Sequence, residues 1–200
     1  GDEGLIAITK NSTWSNLEEM YLNHNHCQSK DILPSLSSKT TWMNLQVLEL
    51  QGNPFNFDEK SAIGVITTNN LKNLRSLMLP NASFNLDLLK YIRDPTSEKT
   101  SELDLKCNDF SEINAAILSD CSWDKLRVLN LTNNRLGDSG AAKLAANTTT
   151  GNLEELRLGL NAIGDAGGAK LAKNQSWINL ATLYLESNKI GNKGAAALST

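Results

Sequence analysis

Two short stretches carry residue types capable of chemistry. Gly137-Asp138-Ser139-Gly140 has the wording of a serine-nucleophile turn, and His24-Asn25-His26-Cys27 brings two imidazoles and a thiol close together in sequence. The serine would need a histidine base within hydrogen-bond reach, yet the only histidines are His24 and His26, far upstream. The same slot also reads Gly-Asp-Glu-Gly from Gly1, Gly-Asp-Ala-Gly from Gly164 and Gly-Asn-Lys-Gly from Gly191, so serine is one occupant of a recurring helix start. A metal needs converging ligands, but Asn25 and Cys27 belong to a recurring pattern that turns the thiol inward and leaves the histidines flanking a turn. Five N-glycosylation sequons begin at Asn11, Asn81, Asn130, Asn147 and Asn174. Three of them, Asn11, Asn147 and Asn174, share one register, in which an asparagine can end a helix. No catalytic, metal-binding or cofactor-binding residue is expected, and no small-molecule substrate is evident.

What these stretches share is the pattern that contains them. From Leu153 the chain reads L-x-x-L-x-L-x-x-N-x-I (Leu153, Leu156, Leu158, Asn161, Ile163), followed by Gly164-Asp165 and an Ala/Leu segment with helical spacing. Self-similarity at 20 to 50 residues signals stacked units. The first position recurs at Leu17, Leu45, Leu74, Thr100, Leu126, Leu153 and Leu180, in steps of 28, 29, 26, 26, 27 and 27 residues. Residues 1–200 are therefore expected to form one domain with seven strand-bearing repeats and a partial repeat at each end, cut from or covered by something larger, because terminal repeats need polar caps.

Within each repeat the inward positions alternate with period two, which predicts a strand: Met20/Leu22, Leu48/Leu50, Leu77/Leu79, Leu103/Leu105, Leu129/Leu131, Leu156/Leu158 and Leu183/Leu185. Asn25, Asn53, Asn108, Asn134, Asn161 and Asn188 form a column whose amides can satisfy backbone groups buried between coils; Ala82 breaks it. Helices are predicted over Asp138–Ala146, Asp165–Lys173 and Asn192–Ser199, with the Asp or Asn after glycine as N-cap. Less regular helices are expected over Asp31–Lys39, Glu59–Thr68, Leu86–Arg93 and Glu112–Ser119, with Asp94-Pro95 stopping the third. Trp14, Trp42, Trp123 and Trp177 share one register, which argues for core packing at one edge.

Net charge −3 removes the basic footprint of a nucleic-acid binder. No apolar run is long enough to span a membrane, and no secretory leader is visible. The three cysteines, Cys27, Cys107 and Cys121, fall at three different repeat positions, so no disulfide framework follows. Thiols of this kind suit a reducing, cytoplasmic compartment; use of the sequons would instead mean secretion.

Parallel strands alternating with helices at this period, together with the Gly-Asp-x-Gly-Ala wording, resemble the ribonuclease-inhibitor-like class of leucine-rich repeats over the whole chain. The resemblance implies an α/β leucine-rich repeat solenoid, a horseshoe with a parallel β-sheet on its concave face and helices on its convex face. Members include nuclease inhibitors, NOD-like innate receptors, Ran GTPase-activating protein and repeat effectors of intracellular bacteria. The Gly-Asp-x-Gly-Ala and Asn-x-x-Trp wording is most similar to the effectors, which act in a host cytosol, and to repeat families of simple eukaryotes.

Two functional readings follow. The first is a non-catalytic module that binds a protein on its strand face, through Tyr21, Glu49, Met78, Glu102, Asp104, Lys106, Asn130, Arg157, Tyr184 and Glu186. That face carries six acids (Glu19, Glu49, Glu102, Asp104, Glu155, Glu186) against two bases (Lys106, Arg157), more net negative charge than the chain's −3, so a basic partner is expected. The second is a regulator of an enzyme, such as a GTPase-activating protein or nuclease inhibitor; phosphate-site chemistry would need a charged or amide group, for which Asn130 and Arg157 are the candidates.

Overall fold

The computed structural model describes residues 1–29, 35, 42–54, 75–78, 101–108, 115, 119 and 123–199. The chain divides into two compact units, Gly1–Ile92 and Arg93–Thr200. In the first unit, helix α1 (Asp2–Lys10) precedes strands β1 (Glu19–Tyr21), β2 (Val47–Glu49) and β3 (Ser76–Met78). They pair in parallel, with Met20 opposite Leu48 and Leu48 opposite Leu77. The second unit holds β4 (Glu102–Asp104), β5 (Val128–Asn130), β6 (Glu155–Arg157) and β7 (Thr182–Tyr184), also parallel, with Leu103, Leu129, Leu156 and Leu183 in one row. Helices α2 (Gly137–Ala145), α3 (Asp165–Leu171) and α4 (Asn192–Leu198) follow the last three strands.

In β1, β4, β5, β6 and β7 the middle residue is turned inward and the residues beside it outward, as a pleated backbone requires. Leu45, Leu48 and Leu50 in the first unit, and Leu129, Leu131, Leu153, Leu156 and Leu158 in the second, are fully buried. The parallel ladder continues past the strands: Leu131 N–H donates to the Arg157 carbonyl at 2.9 Å and Leu158 N–H to that of Tyr184 at 2.9 Å. Crossovers between parallel strands require about a dozen residues or more, and the repeat length supplies them.

The asparagine column does what its chemistry suggests. Asn161 Nδ2 donates to the carbonyls of Leu131 (2.8 Å) and Leu158 (3.0 Å), while its backbone N–H donates to Asn188 Oδ1 at 3.0 Å. Asn53 accepts from the N–H groups of Asn25 (3.0 Å) and Cys27 (3.2 Å) and donates to the carbonyls of Leu22 and Leu50 at 2.8 Å. One side chain thus satisfies donors and acceptors of two adjacent coils.

The helix starts differ from expectation. Asp138 and Asp165 lie inside α2 and α3 and cap the next helix, not their own. Asp138 Oδ1 accepts from the N–H groups of Gly164 (2.6 Å) and Gly167 (2.8 Å), at the cap and third residue of α3. Asp165 Oδ1 accepts from Gly191 and Gly194, each at 2.7 Å, at the start of α4. Asp2 Oδ1 likewise reaches into the next repeat, accepting from the N–H groups of Gln28 (2.6 Å) and Ser29 (3.0 Å). Glycine is needed at Gly167 because a Cβ there would come within 2.6 Å of Asp138 Oδ1 and 2.8 Å of Ile163 Cγ2.

The tryptophan register does not guarantee burial. Trp42 and Trp123 are buried, Trp177 is half-buried, and Trp14 is exposed, lining an open depression with Thr13, Ser15, Asn16 and Leu17. The irregular helices expected over residues 31–39, 59–68, 86–93 and 112–119, together with Ala82, Asp94-Pro95, Thr100 and Cys121, lie outside the described residues apart from Ser35, Ala115 and Ser119.

Candidate functional site

The strands bring the outward residues of neighbouring repeats into adjacent columns. In the first unit Tyr21 is exposed and its hydroxyl donates to Glu19 Oε2 at 2.9 Å. That carboxylate beside the ring holds the phenol above its ordinary range. Glu49 faces the same way but is only 8% exposed, and its Oε2 accepts from Asn23 Nδ2 at 2.7 Å. It serves the sheet more than any surface. Met78 ends β3, and its side chain lies outside the described residues.

In the second unit Glu102 is exposed at the start of β4. Asp104 is half-buried: one oxygen accepts from Lys106 N–H at 3.0 Å, and the other lies 3.8 Å from Lys106 Nζ. Asn130 is 6% exposed, and its Oδ1 accepts from Thr132 N–H at 3.0 Å. It is therefore a turn-maker, which takes it away from the phosphate-directed role.

The groups brought closest together lie on β6 and β7. The Arg157 guanidinium pairs with Glu155 on its own strand and sits 5.6 Å from the ring centroid of exposed Tyr184 on the next. Arginine over an aromatic face is a favourable cation–π arrangement. Exposed Glu186 closes the group, its carboxylate resting over Gly159, where a Cβ would come within 2.3 Å of Oε1. Spacing alone placed Arg157, Tyr184 and Glu186 on one face; their pairing across strands follows from the register Arg157↔Tyr184.

Sequence reasoning missed two features. Asn44 and Asn179 donate to the carbonyls of Ser15 (3.0 Å) and Gly151 (2.7 Å) one repeat back, making a second amide column at the sheet's entry. The shared slot of Asn16, Asn44, Asn73, Asn152 and Asn179 was the available signal. Arg127 and Glu154, one residue after their repeat starts, form a two-pronged ion pair of 2.8 and 2.6 Å; Arg127 lowers the Glu154 carboxyl below its ordinary value. The sequon asparagines at the shared helix-ending register are structural, as that register suggests: Asn147 is 1% exposed with Oδ1 bound by Thr149, and Asn174 Nδ2 donates to the Ala145 carbonyl at 2.7 Å. His24 and His26 stand at left-handed positions flanking Asn25, and no group of His, Cys, Asp or Glu among the described residues could hold a metal ion. Among the described residues, no helix is long and apolar enough to cross a membrane.

A family model described as Leucine Rich repeat matches residues 125–145, 152–172 and 178–199. No curated protein sequence matches the chain. Among solved structures, the chain is similar to an internalin of Listeria monocytogenes at 22% identity and a TM-score of 0.56, covering 96% of this chain and 48% of that one. The chain thus spans about half the length of that internalin, and a likeness at this identity speaks for fold alone. With parallel strands, inward leucines and amide columns recurring at the repeat period, and leucine-rich repeats matched over residues 125–145, 152–172 and 178–199, the fold of the chain is an α/β leucine-rich repeat solenoid.

Proposed function

We propose that the chain is a non-catalytic protein-binding module that engages a partner with a basic surface through the outward side chains of its strands. Repeat proteins of this architecture are in general interaction modules with extended binding surfaces. The observation that carries the reading is the exposed Arg157–Tyr184 pair, ordered across β6 and β7 and flanked by Glu155 and Glu186. Tyrosine and arginine dominate binding hot spots, and this pair is partly ordered before any partner arrives. The acids supply the preference for positive charge; Glu19, Glu102 and Glu186 are the exposed ones among them. Helices of seven to nine residues in the second half of the repeats favour the ribonuclease-inhibitor-like subclass.

A cytoplasmic setting accords with Cys27 as a free, buried thiol and with the structural use of Asn147 and Asn174, since a glycan on Asn147 has no room in the fold. An effector-like or receptor-like role within a larger protein fits these features. The test is substitution in a cognate complex. Alanine at Tyr184 and Arg157 together should weaken binding by more than about tenfold with the melting temperature nearly unchanged, as for exposed anchors. Unchanged affinity would remove the proposal.

A further inference from the structure

Six described repeats share a backbone feature: the residue before the ladder asparagine is left-handed, at His24 (φ 57), Gly52 (φ 69), Cys107 (φ 59), Asn133 (φ 54), Leu160 (φ 57) and Ser187 (φ 57). Glycine accepts this conformation without steric cost, and asparagine and histidine occur there more readily than other residues. Leucine has no such advantage. Burial does not explain it either, since Leu160 is 51% exposed while Leu156 and Leu158 of the same repeat are fully buried. A half-exposed apolar side chain thus stands on a backbone conformation that disfavours it.

Its surroundings point to a use. Leu160 N–H donates to the Glu186 carbonyl at 3.0 Å, and the Glu186 side chain rests on the adjacent Gly159. Arg157 is occupied by Glu155 and Tyr184, whereas the Glu186 carboxylate has no ion pair among the described residues. This lip of the sheet therefore joins an exposed aliphatic group to an uncompensated negative charge. Apolar contact supplies affinity, and the carboxylate selects against neutral or acidic competitors.

We infer that Leu160 and Glu186 form an anchor point for a protein segment that presents an aliphatic or aromatic side chain next to a lysine or arginine. The inference rests on the strand face being the binding surface and narrows it to one lip.

Random dodecapeptides displayed on phage and selected against the full chain are the probe. Selected peptides should pair an apolar residue with Lys or Arg. As synthetic peptides they should bind Leu160→Asn and Glu186→Lys at least about tenfold more weakly than the unaltered chain. Leu160→Asn should melt at the same temperature or higher, because asparagine suits the left-handed backbone, so weakened binding is separable from unfolding. Peptides that lack a basic residue, that bind both variants as tightly as the unaltered chain, or that fail to emerge overturn the inference. Peptides sensitive to Tyr184→Ala but indifferent to Leu160→Asn and Glu186→Lys leave the strand face standing and remove this anchor. Peptides sensitive only to Lys143→Glu or Lys170→Glu on α2 and α3 remove both.

Discussion

At the scale of single residues, the close approach of Asp138 to Gly167 gives a sharp test of how repeats are locked together. Gly167→Ala drives a Cβ to 2.6 Å from Asp138 Oδ1 and 2.8 Å from Ile163 Cγ2, and should cost about 1–3 kcal/mol. Gly4→Ala, inside α1 with nothing within 4 Å of the new methyl, should instead stabilise by about 0.5–1 kcal/mol. Urea denaturation of both variants measures the difference, and a shared sign would contradict the packing described. The equivalent carboxylate of Asp2 is held below its ordinary 3.8 by the N–H groups of Gln28 and then Ser29. A depressed acid contributes stability above its unfolded value and loses it as pH falls through its folded value. Exchange of the Gln28 and Ser29 amides, corrected for intrinsic chemistry, should therefore accelerate below about pH 4, while in Asp2→Asn this acceleration is absent. The capping role itself was not legible in sequence. A Gly-Asp step before a helix reads as that helix's own cap, and nothing in one repeat says that the carboxylate reaches forward to the next.

At the scale of elements, stability should reside in the leucine layer and the amide column. Leu156→Ala, at the fully buried centre of β6, should cost about 2–5 kcal/mol, whereas Ser139→Ala, on the exposed side of α2, should be close to neutral. Asn161→Ala removes two amide donations, to the carbonyls of Leu131 and Leu158, which keep Asn134 and Asn188 as donors, and should cost about 1–3 kcal/mol for the two lost bonds. Guanidinium titrations check the ranking; equal costs for Leu156→Ala and Ser139→Ala would overturn it. These elements were readable because each strand needs an inward residue at its centre, and period-two alternation repeated through the array marks it. Glu49 and Asn130 show where that logic stops. Alternation says which side of the sheet a residue takes, but neighbours on that same side decide whether it meets water. Asn23 covers one and a turn takes up the other. Leu160 is the converse, since its apolar character suggested no surface and its left-handed backbone is visible only in three dimensions.

At the scale of the whole molecule, the account predicts that association with a basic partner slows as salt rises, because exposed acids act within a screening length of about 10 Å at 0.1 M. Charge reversal at Glu102 should lower the association rate more than the dissociation rate, read by stopped-flow mixing at two salt concentrations; a change confined to dissociation would argue against steering. Composition could show the sign of this effect but not its partner, since outward positions are free to vary in any such array. The central claim is that the strands present the working surface. Hydrogen exchange of the full chain, alone and bound to a cognate protein, tests it most directly. The account predicts new protection at residues 102–106, 155–160 and 182–186 with α2 and α3 unaffected. Protection confined to α2 and α3, around Lys143 and Lys170, would contradict it.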